Sequence, residues 1–168
     1  MNGSDATLHP EEVTALTAAL AGADPLGAVL KVIHEIAVAR IGVLVFSASR
    51  CFVDSLELKR LYSSHPDTYP IGARKNKRET SWAREVMIKR QVFVGEGPLE
   101  MAAAFDDQER MASLGLRSII NVPVTLPAGG LGVLNFGRSV ERVMPADVTT
   151  ARFLGVAASA GFGLAPRA

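Results

Sequence analysis

Two helices are predicted at the start of the chain, where apolar residues recur at intervals of three and four positions. In HPEEVTALTAALAG the apolar stripe consists of Val13, Leu16 and Leu20, and this spacing is typical of a helix with one buried face. The next segment, DPLGAVLKVIHEIAVAR, begins with Asp24, a good helix-capping residue, and Pro25, which suits a first helical turn. The pattern therefore predicts two amphipathic helices ahead of any strand.

Alternating and β-branched positions predict the strands of a sheet. Residues 41–48, IGVLVFSA, are dense in β-branched side chains, which is typical of a central strand. In SLELKRLYSS, the residues Leu56, Leu58, Arg60 and Tyr62 alternate with Glu57, Lys59 and Leu61. This pattern predicts an antiparallel partner strand with the two sets on opposite faces and the charged members exposed. Two more strands, LRSIINVPV and LGVLNFG, flank the turn TLPAGG.

The remaining segments complete the order of elements. Residues 65–78 contain two Pro, one Gly and no apolar period, so they are predicted to form a loop. A short helix capped by Thr80 follows, then the brief strand QVFV, one helix through MAAAFDDQERMASLG, and a last helix that begins at Pro145. The order ααββ, loop, αβαββα predicts an α+β fold with helices grouped around an antiparallel sheet.

Composition limits the functional classes to which the chain can belong. A length of 168 residues predicts one domain over 1–168, with an N-terminal helical segment at 1–23 and a core at 24–164. Lys and Arg number 18 against 17 Asp and Glu, so neither nucleic acid nor an anionic membrane is expected as a partner. The single cysteine, Cys51, cannot form an internal disulfide, and the N-terminus lacks the order of a signal peptide. Both features favour a cytoplasmic location.

A polar pair interrupts the apolar strand GLRSIINVP. Alternation places Ser118 on one face of the strand and Asn121 on the other. A buried polar group without a hydrogen-bond partner costs on the order of 1–3 kcal/mol. Each side chain is therefore expected to bond either to backbone and water or to a ligand, and the sequence leaves both alternatives open.

The loop at residues 65–78 concentrates positive charge. Arg74, Lys75, Lys77 and Arg78 are four cations within five residues, with no acid among them. Such a cluster can clamp phosphate or carboxylate at the mouth of a pocket, and the alternative is a solvated basic loop. Glu96, which follows a short strand, is expected to pair with a loop arginine or to contact a ligand.

The segment GLRSIINVPVTLPAGGLGVLNFGRS resembles the GAF domain family. The shared features are a Gly-aliphatic-basic-Ser strand opening, a Val-Pro at the strand end, a small turn and an LGVLNF-like strand before a final helix. The resemblance continues upstream through LKRLYSS and IGVLVF to about residue 28. It implies a five- or six-stranded antiparallel sheet with helices on one face, and a ligand pocket under loops and short helices on the other. It also implies non-covalent binding of a small molecule and dimerisation through terminal helices.

The residues argue against the specialised versions of this family. Bilin attachment uses a Cys that is usually followed by His, whereas Phe52 follows Cys51. The fragment AFDDQE shares too little of the cyclic-nucleotide signature Asn-Lys-Phe-Asp-Glu. Free methionine sulfoxide reductases need a cysteine shortly before the Ser…Val-Pro strand, and ERMASLG has none. The chain also lacks GxSxG, HExxH and Walker-type motifs, so neither a cofactor nor a metal is expected.

Three functional hypotheses follow. The first is a sensory GAF-like domain without its own output domain, which binds a polar or anionic metabolite non-covalently, forms a homodimer and signals through a separate partner. Its expected ligand-binding residues are Tyr62, His65, Tyr69, Arg74, Arg78, Trp82, Glu96, Phe105, Ser118 and Asn121. The second is a dimeric interaction scaffold whose pocket is filled by its own side chains. The third is a small-substrate enzyme with His65 or Cys51 as the reactive group.

Overall fold

A six-stranded antiparallel sheet organises residues 7–165, which are the residues that the computed structural model describes. The strands run in the order β3-β2-β1-β6-β5-β4. Their bounds are β1 Val43–Phe52, β2 Glu57–Ser63, β3 Arg74–Asn76, β4 Phe93–Glu96, β5 Ser118–Thr125 and β6 Leu131–Arg138. The helices are α1 Pro10–Leu20, α2 Pro25–Ile41, α3 Gly97–Ala104, α4 Gln108–Ser113 and α5 Pro145–Leu164, with a π-helix at Ala83–Ile88 and a 3-10 turn at Pro127–Gly129. This arrangement confirms the predicted α+β fold.

Long helices cover one face of the sheet. α2 and α5 pack on the side chains that β1, β5 and β6 direct to this face, and Phe46, Ile120 and Phe136 are completely buried there. The side chain of Asp24 accepts a hydrogen bond from the backbone N–H of Gly27 at 3.1 Å, as predicted for the cap of α2. Within residues 7–165, none of the helices combines the length and apolar character that crossing a membrane requires.

Short helices cover the opposite face. The π-helix packs Val86 and Met87 against the sheet, while α3 and α4 contribute Met101 and Met111. Thr80 caps the helical turn that begins at Ser81 and continues into the π-helix, as predicted, because its hydroxyl accepts from the backbone N–H of Ala83 at 3.2 Å. The two small clusters formed in this way leave a gap between them, and the candidate site lies in that gap.

Two segments differ from the sequence-based prediction in ways that matter for the site. The predicted loop at 65–78 contains β3, which pairs with β2 so that Lys75 lies opposite Leu58. The predicted single helix MAAAFDDQERMASLG is broken into α3 and α4, because Phe105 is extended, with φ −130° and ψ 133°. This break turns the Phe105 side chain toward the sheet.

The first hairpin also differs from its prediction. β1 continues to Phe52 instead of ending near Ala48, so most of the predicted connection is strand. The partner strand β2 contains a bulge: Ala48 pairs with Tyr62, whereas Ser49 pairs with Arg60. Since Leu61 is skipped in the pairing, the side-chain alternation reverses there. Tyr62 therefore faces the layer formed by the long helices α1, α2 and α5, called the helix layer below. The prediction that it shares a face with Leu58 and Arg60 is wrong.

Candidate functional site

A cavity of about 80 Å³ lies between the sheet and the short helices. β1, β2, β5 and β6 form its floor. Its walls come from the β2–β3 connection, from Lys75 and Lys77, from Trp82 just before the π-helix, and from the α3–α4 corner. Half of the lining residues are apolar or glycine, and the other half carry polar or charged groups that converge on the cavity. The polar lining residues are Ser47, Ser49, Arg60, Tyr69, Lys75, Lys77, Asp107 and Asn135.

A row of hydrogen-bonded side chains crosses the floor. The indole N–H of Trp82 donates to Asn121 Oδ1 at 2.9 Å, and Asn121 Nδ2 donates to Asn135 Oδ1 at 2.6 Å. Asn135 Nδ2 in turn donates to the Ser47 hydroxyl at 3.1 Å. The row is possible because Asn121, Asn135 and Ser47 lie directly opposite one another on neighbouring strands. It holds the Trp82 ring and the Asn135 amide in fixed positions at the cavity.

Two lysines reach the cavity through strand alternation. Lys75 lies opposite the buried Leu58 in the β2–β3 pairing, so both side chains point to the cavity face. Lys77 follows two positions later, and its backbone N–H donates to the Leu56 carbonyl at 2.8 Å. Arg74 and Arg78 alternate with these lysines and have exposed side chains on the outside of the strand.

Lys77 is a buried cation. Its side chain is 4% exposed, and its ammonium lies 5.5 Å from the ring centroids of both Trp82 and Phe105. The closest acid is Asp106, with Oδ1 at 3.6 Å from Nζ. Burial, assisted by the neighbouring Lys75, lowers the pKa of Lys77 to about 8, because the charged form loses its hydration.

Arg60 contributes a third cation, which is only partly satisfied. Its guanidinium stacks over the Tyr69 ring at 5.1 Å and donates through NH1 to the Pro70 carbonyl at 3.3 Å. Its Nε is buried and has no hydrogen-bond partner within the described residues. Burial also raises the pKa of Tyr69 to about 12, so this phenol is neutral at physiological pH.

The α3–α4 corner supplies the acids of the site. Lys75 Nζ contacts Asp106 Oδ1 at 2.7 Å and Asp107 Oδ1 at 3.1 Å. The hydrogen bond from Lys75 lowers the pKa of Asp106. The lining nevertheless holds three cations against the single carboxylate of Asp107, and Asp106 is 64% exposed. The cavity therefore carries an excess of positive charge.

Four of the ten predicted ligand-binding residues lie at the cavity or directly behind it. Tyr69, Trp82 and Phe105 line it. Asn121 is fully buried in the floor, and both polar atoms of its amide are bonded to Trp82 and Asn135. The sequence therefore identified the aromatic wall and one member of the polar row.

The other six predicted residues lie outside the cavity lining. Ser118 donates to the Val140 carbonyl at 2.6 Å, which is the backbone alternative left open above. Glu96 accepts from the Val143 N–H at 2.5 Å, and the expected ion pair with a loop arginine is absent from residues 7–165. The remaining four residues contact other parts of the chain: Tyr62 bonds to His34, His65 to Ser64, Arg74 to Glu57 and Arg78 to the Ser55 carbonyl.

The cavity residues that sequence reasoning missed are mostly polar groups on strands. Alternation puts Arg60 on the same face as Leu58, but the sequence predicts an exposed charge there and no role in the site. The basic cluster contains Lys77, but the predicted ligand-binding residues of the cluster are Arg74 and Arg78. Treating KNK as a strand would have separated Lys75 and Lys77 from Arg74 and Arg78, because alternate residues face opposite sides.

The alternative reactive group, Cys51, is poorly suited to nucleophilic chemistry. The thiol is buried, at 6% exposure, and burial raises its pKa to about 12. A thiolate is the nucleophilic form of cysteine, so this environment suppresses reactivity. Cys51 also lies outside the lining of the cavity described above.

Comparison with solved structures shows that the chain has the fold of a GAF domain. The GAF domain of a phosphoenolpyruvate-protein phosphotransferase from Coxiella burnetii matches with a TM-score of 0.73 and 13% identity, covering 95% of both chains. A phycocyanobilin-bound GAF domain from a cyanobacterial phytochrome matches with a TM-score of 0.65 and 13% identity, covering 94% of this chain and 95% of that one. The GAF domain of a sensor histidine kinase from Bacillus halodurans matches with a TM-score of 0.56 and 19% identity, covering 77% and 92%.

These likenesses confirm the predicted fold, and at such low identity they carry the fold alone. No protein-family model matches the chain, and no curated protein matches its sequence. A fold alone does not fix a function, whereas the chemistry of the cavity restricts what can bind there.

Proposed function

We propose that this protein is a sensory GAF-like domain that binds a small anionic metabolite in the cavity beneath the α3–α4 corner. The observation that carries the proposal is the convergence of Arg60, Lys75 and Lys77 on one cavity. The buried Nε of Arg60 has no partner among the described residues. An unpaired buried donor on a cation is costly, and a carboxylate or phosphate oxygen would satisfy it.

The size of the cavity limits the ligand. A volume of about 80 Å³ corresponds to room for roughly six water-sized groups. This favours a compact anion with about five or six non-hydrogen atoms over a nucleotide or a tetrapyrrole. Asn135 and Ser47 would orient its polar atoms, while the Trp82 and Phe105 rings would contact its body.

A role in regulation is supported by the fold. One of the structural neighbours comes from a sensor histidine kinase, and another holds a bound phycocyanobilin. We propose that ligand binding at the α3–α4 corner is communicated to a separate partner protein, that the domain acts as a homodimer, and that it resides in the cytoplasm, as the single cysteine favours.

Anion binding to the purified protein tests this proposal. Trp82 is the only tryptophan of the chain, so its fluorescence reports on the cavity during titration with acetate, formate or inorganic phosphate. We expect saturable binding of at least one of these anions. Substitution R60M should weaken that binding about 10- to 100-fold, because a charge-assisted hydrogen bond is lost.

The double variant R74A/R78A is the matched control. It removes two cations from the same segment, but both lie outside the cavity lining, so its affinity should stay within about twofold of the wild type after allowance for surface screening. Equal loss of binding in both variants would contradict the assignment of the cavity as the site. A folded protein that binds none of the anions would favour the ligand-free scaffold.

A further inference from the structure

We propose that Lys77 captures its ligand covalently, by forming a reversible imine with the carbonyl group of a small 2-oxo acid. The proposal rests on the proposed function, because it assigns a chemical class and a bonding mode to the anion in the same cavity. Anion binding by itself uses only the positive charge of Lys77 and does not require its amine to act as a nucleophile.

The backbone of Lys77 is held firmly, which fixes where the amine emerges. Its N–H donates to Leu56 at 2.8 Å, and its carbonyl accepts from both the N–H and the hydroxyl of Thr80, at 3.1 and 2.8 Å. The side chain lines the cavity with 4% exposure, and its Nζ lies between the Trp82 and Phe105 rings. Any molecule in the cavity is therefore brought near this amine.

The environment also favours the neutral, nucleophilic form of the amine. An amine must lose its proton before it can attack a carbonyl, and lysines that form such adducts are activated by burial or by neighbouring cations. Lys77 has both features, and its pKa of about 8 leaves about a tenth of the amine neutral at pH 7 and about half at pH 8. The charged or titratable groups around it are Lys75 on β3, Arg60 on β2, Tyr69 in the connection, and Asp106 and Asp107 at the corner.

The reaction needs no co-reactant beyond the ligand. The Lys77 ammonium releases a proton to water, and the neutral Nζ attacks the carbonyl carbon, forming a C–N bond while the carbonyl oxygen takes up a proton. The resulting carbinolamine is protonated on oxygen and loses water as the C=N bond forms. Lys–NH3⁺ and the 2-oxo acid thus become a protonated imine and one water molecule, with no net change in protons or electrons.

The charges of the site suit this product. The protonated imine keeps the positive charge at the position that Asp106 and the two aromatic rings already face. The adjoining carboxylate of the ligand adds a negative charge, for which Arg60 and Lys75 are the available cations of the lining. The smallest 2-oxo acids have about five or six non-hydrogen atoms, which is the size that the cavity volume allows.

Reductive trapping tests the proposal. The full chain is incubated with glyoxylate and sodium cyanoborohydride, and the modified lysines are mapped by peptide mass spectrometry. Lys77 should be labelled at least about tenfold faster than Lys89, an exposed lysine paired with Glu85, since its lower pKa enlarges the neutral fraction at pH 7. Labelling should accelerate up to about pH 8 and should be slowed by acetate, which can occupy the cavity but cannot form an imine.

The control variant K77R keeps the cation and removes the nucleophile. It should lose the adduct, whereas K89R, at an exposed lysine outside the cavity lining, should leave both acetate binding and labelling at Lys77 unchanged. Acetate binding together with Lys77 labelling no faster than Lys89 would overturn covalent capture and leave the proposed function standing. Absence of Lys77 labelling, together with absence of binding by acetate, formate and inorganic phosphate, would overturn the two proposals together. The competition by acetate in the wild type decides the matter even if K77R folds poorly.

Discussion

The charged ammonium group of Lys77 is almost completely buried. Transferring a cation out of water is costly unless it is paired and hydrogen-bonded. The pairing here is incomplete, because Asp106 is 64% exposed and lies closer to Lys75, at 2.7 Å, than to Lys77, at 3.6 Å. The uncompensated cost of desolvation lowers the pKa of Lys77, and a bound anion would reduce that cost.

Stability should therefore depend on the protonation of Lys77 at alkaline pH. Its pKa is about 8 in the folded state against 10.5 for an unperturbed lysine, so between these values the unfolded chain binds more protons. The contribution of this group to stability rises as pH increases from about 8 to 10.5, and it is lost progressively as pH falls through the same window. Relative to K77M, the wild type should gain about 3 kcal/mol between pH 7.5 and 10.5, measured by urea unfolding.

The comparison with K77M isolates one group. Lys75, Arg60, Tyr69, Asp106 and Asp107 are present in both proteins, so their own titrations largely cancel in the difference. Identical pH dependence of the two unfolding free energies would contradict the account of Lys77 as an under-compensated buried cation.

At the scale of elements, single-residue departures from regular structure decide what reaches the cavity. The bulge at Leu61 sends Tyr62 to the helix layer while Arg60 stays on the cavity face. The break at Phe105 between α3 and α4 directs an aromatic ring inward. Both features lie inside segments whose local sequence predicts uninterrupted strand or helix, so neither could be located from propensity.

The packing of α5 on the sheet explains two of its glycines differently. A Cβ built on Gly155 would lie 2.9 Å from Val122 Cγ1, whereas one on Gly163 meets nothing within 4 Å. Because Val122 is buried and β-branched, it cannot move away easily. G155A should lower stability by about 1–3 kcal/mol, and G163A should raise it by up to about 1 kcal/mol through helix propensity.

Thermal or urea unfolding of the two variants gives the signs directly. Because both variants replace glycine by alanine in the same helix, the intrinsic effect of that replacement largely cancels in the difference between their unfolding free energies. Equal stabilisation by G155A and G163A would contradict the close packing of Gly155 on Val122.

At the scale of the whole molecule, the sheet separates two environments. Its helix-covered face is a continuous apolar core, and its other face holds two small clusters with a charged cavity between them. The helix layer also leaves apolar side chains on its outer surface: Val156 is 72% and Phe153 is 42% exposed on α5, and Val13 is 48% exposed on α1. Exposed apolar groups of this kind are consistent with the proposed homodimer.

Charge placed on this surface should separate the subunits. V156E is expected to shift the protein from dimer to monomer in sedimentation analysis, since an unpaired carboxylate would be buried in the interface. L99E is the matched control, because Leu99 on α3 is equally apolar and 87% exposed but lies outside the helix layer. A wild-type protein that sediments as a monomer would contradict the homodimer. A V156E protein that still sediments as a dimer would show that the interface does not include Val156.

Local patterns were sufficient for the fold class, the antiparallel strands, the caps at Asp24 and Thr80, and the aromatic residues that line the cavity. These features depend on residues close together in the chain, where periodicity and capping preferences act. The composition of the charged site was decided by tertiary structure. Arg60, Lys77 and Asn135 come together because strand register, one bulge and one helix break bring distant segments face to face, and the free energy that selects those irregularities comes from long-range packing.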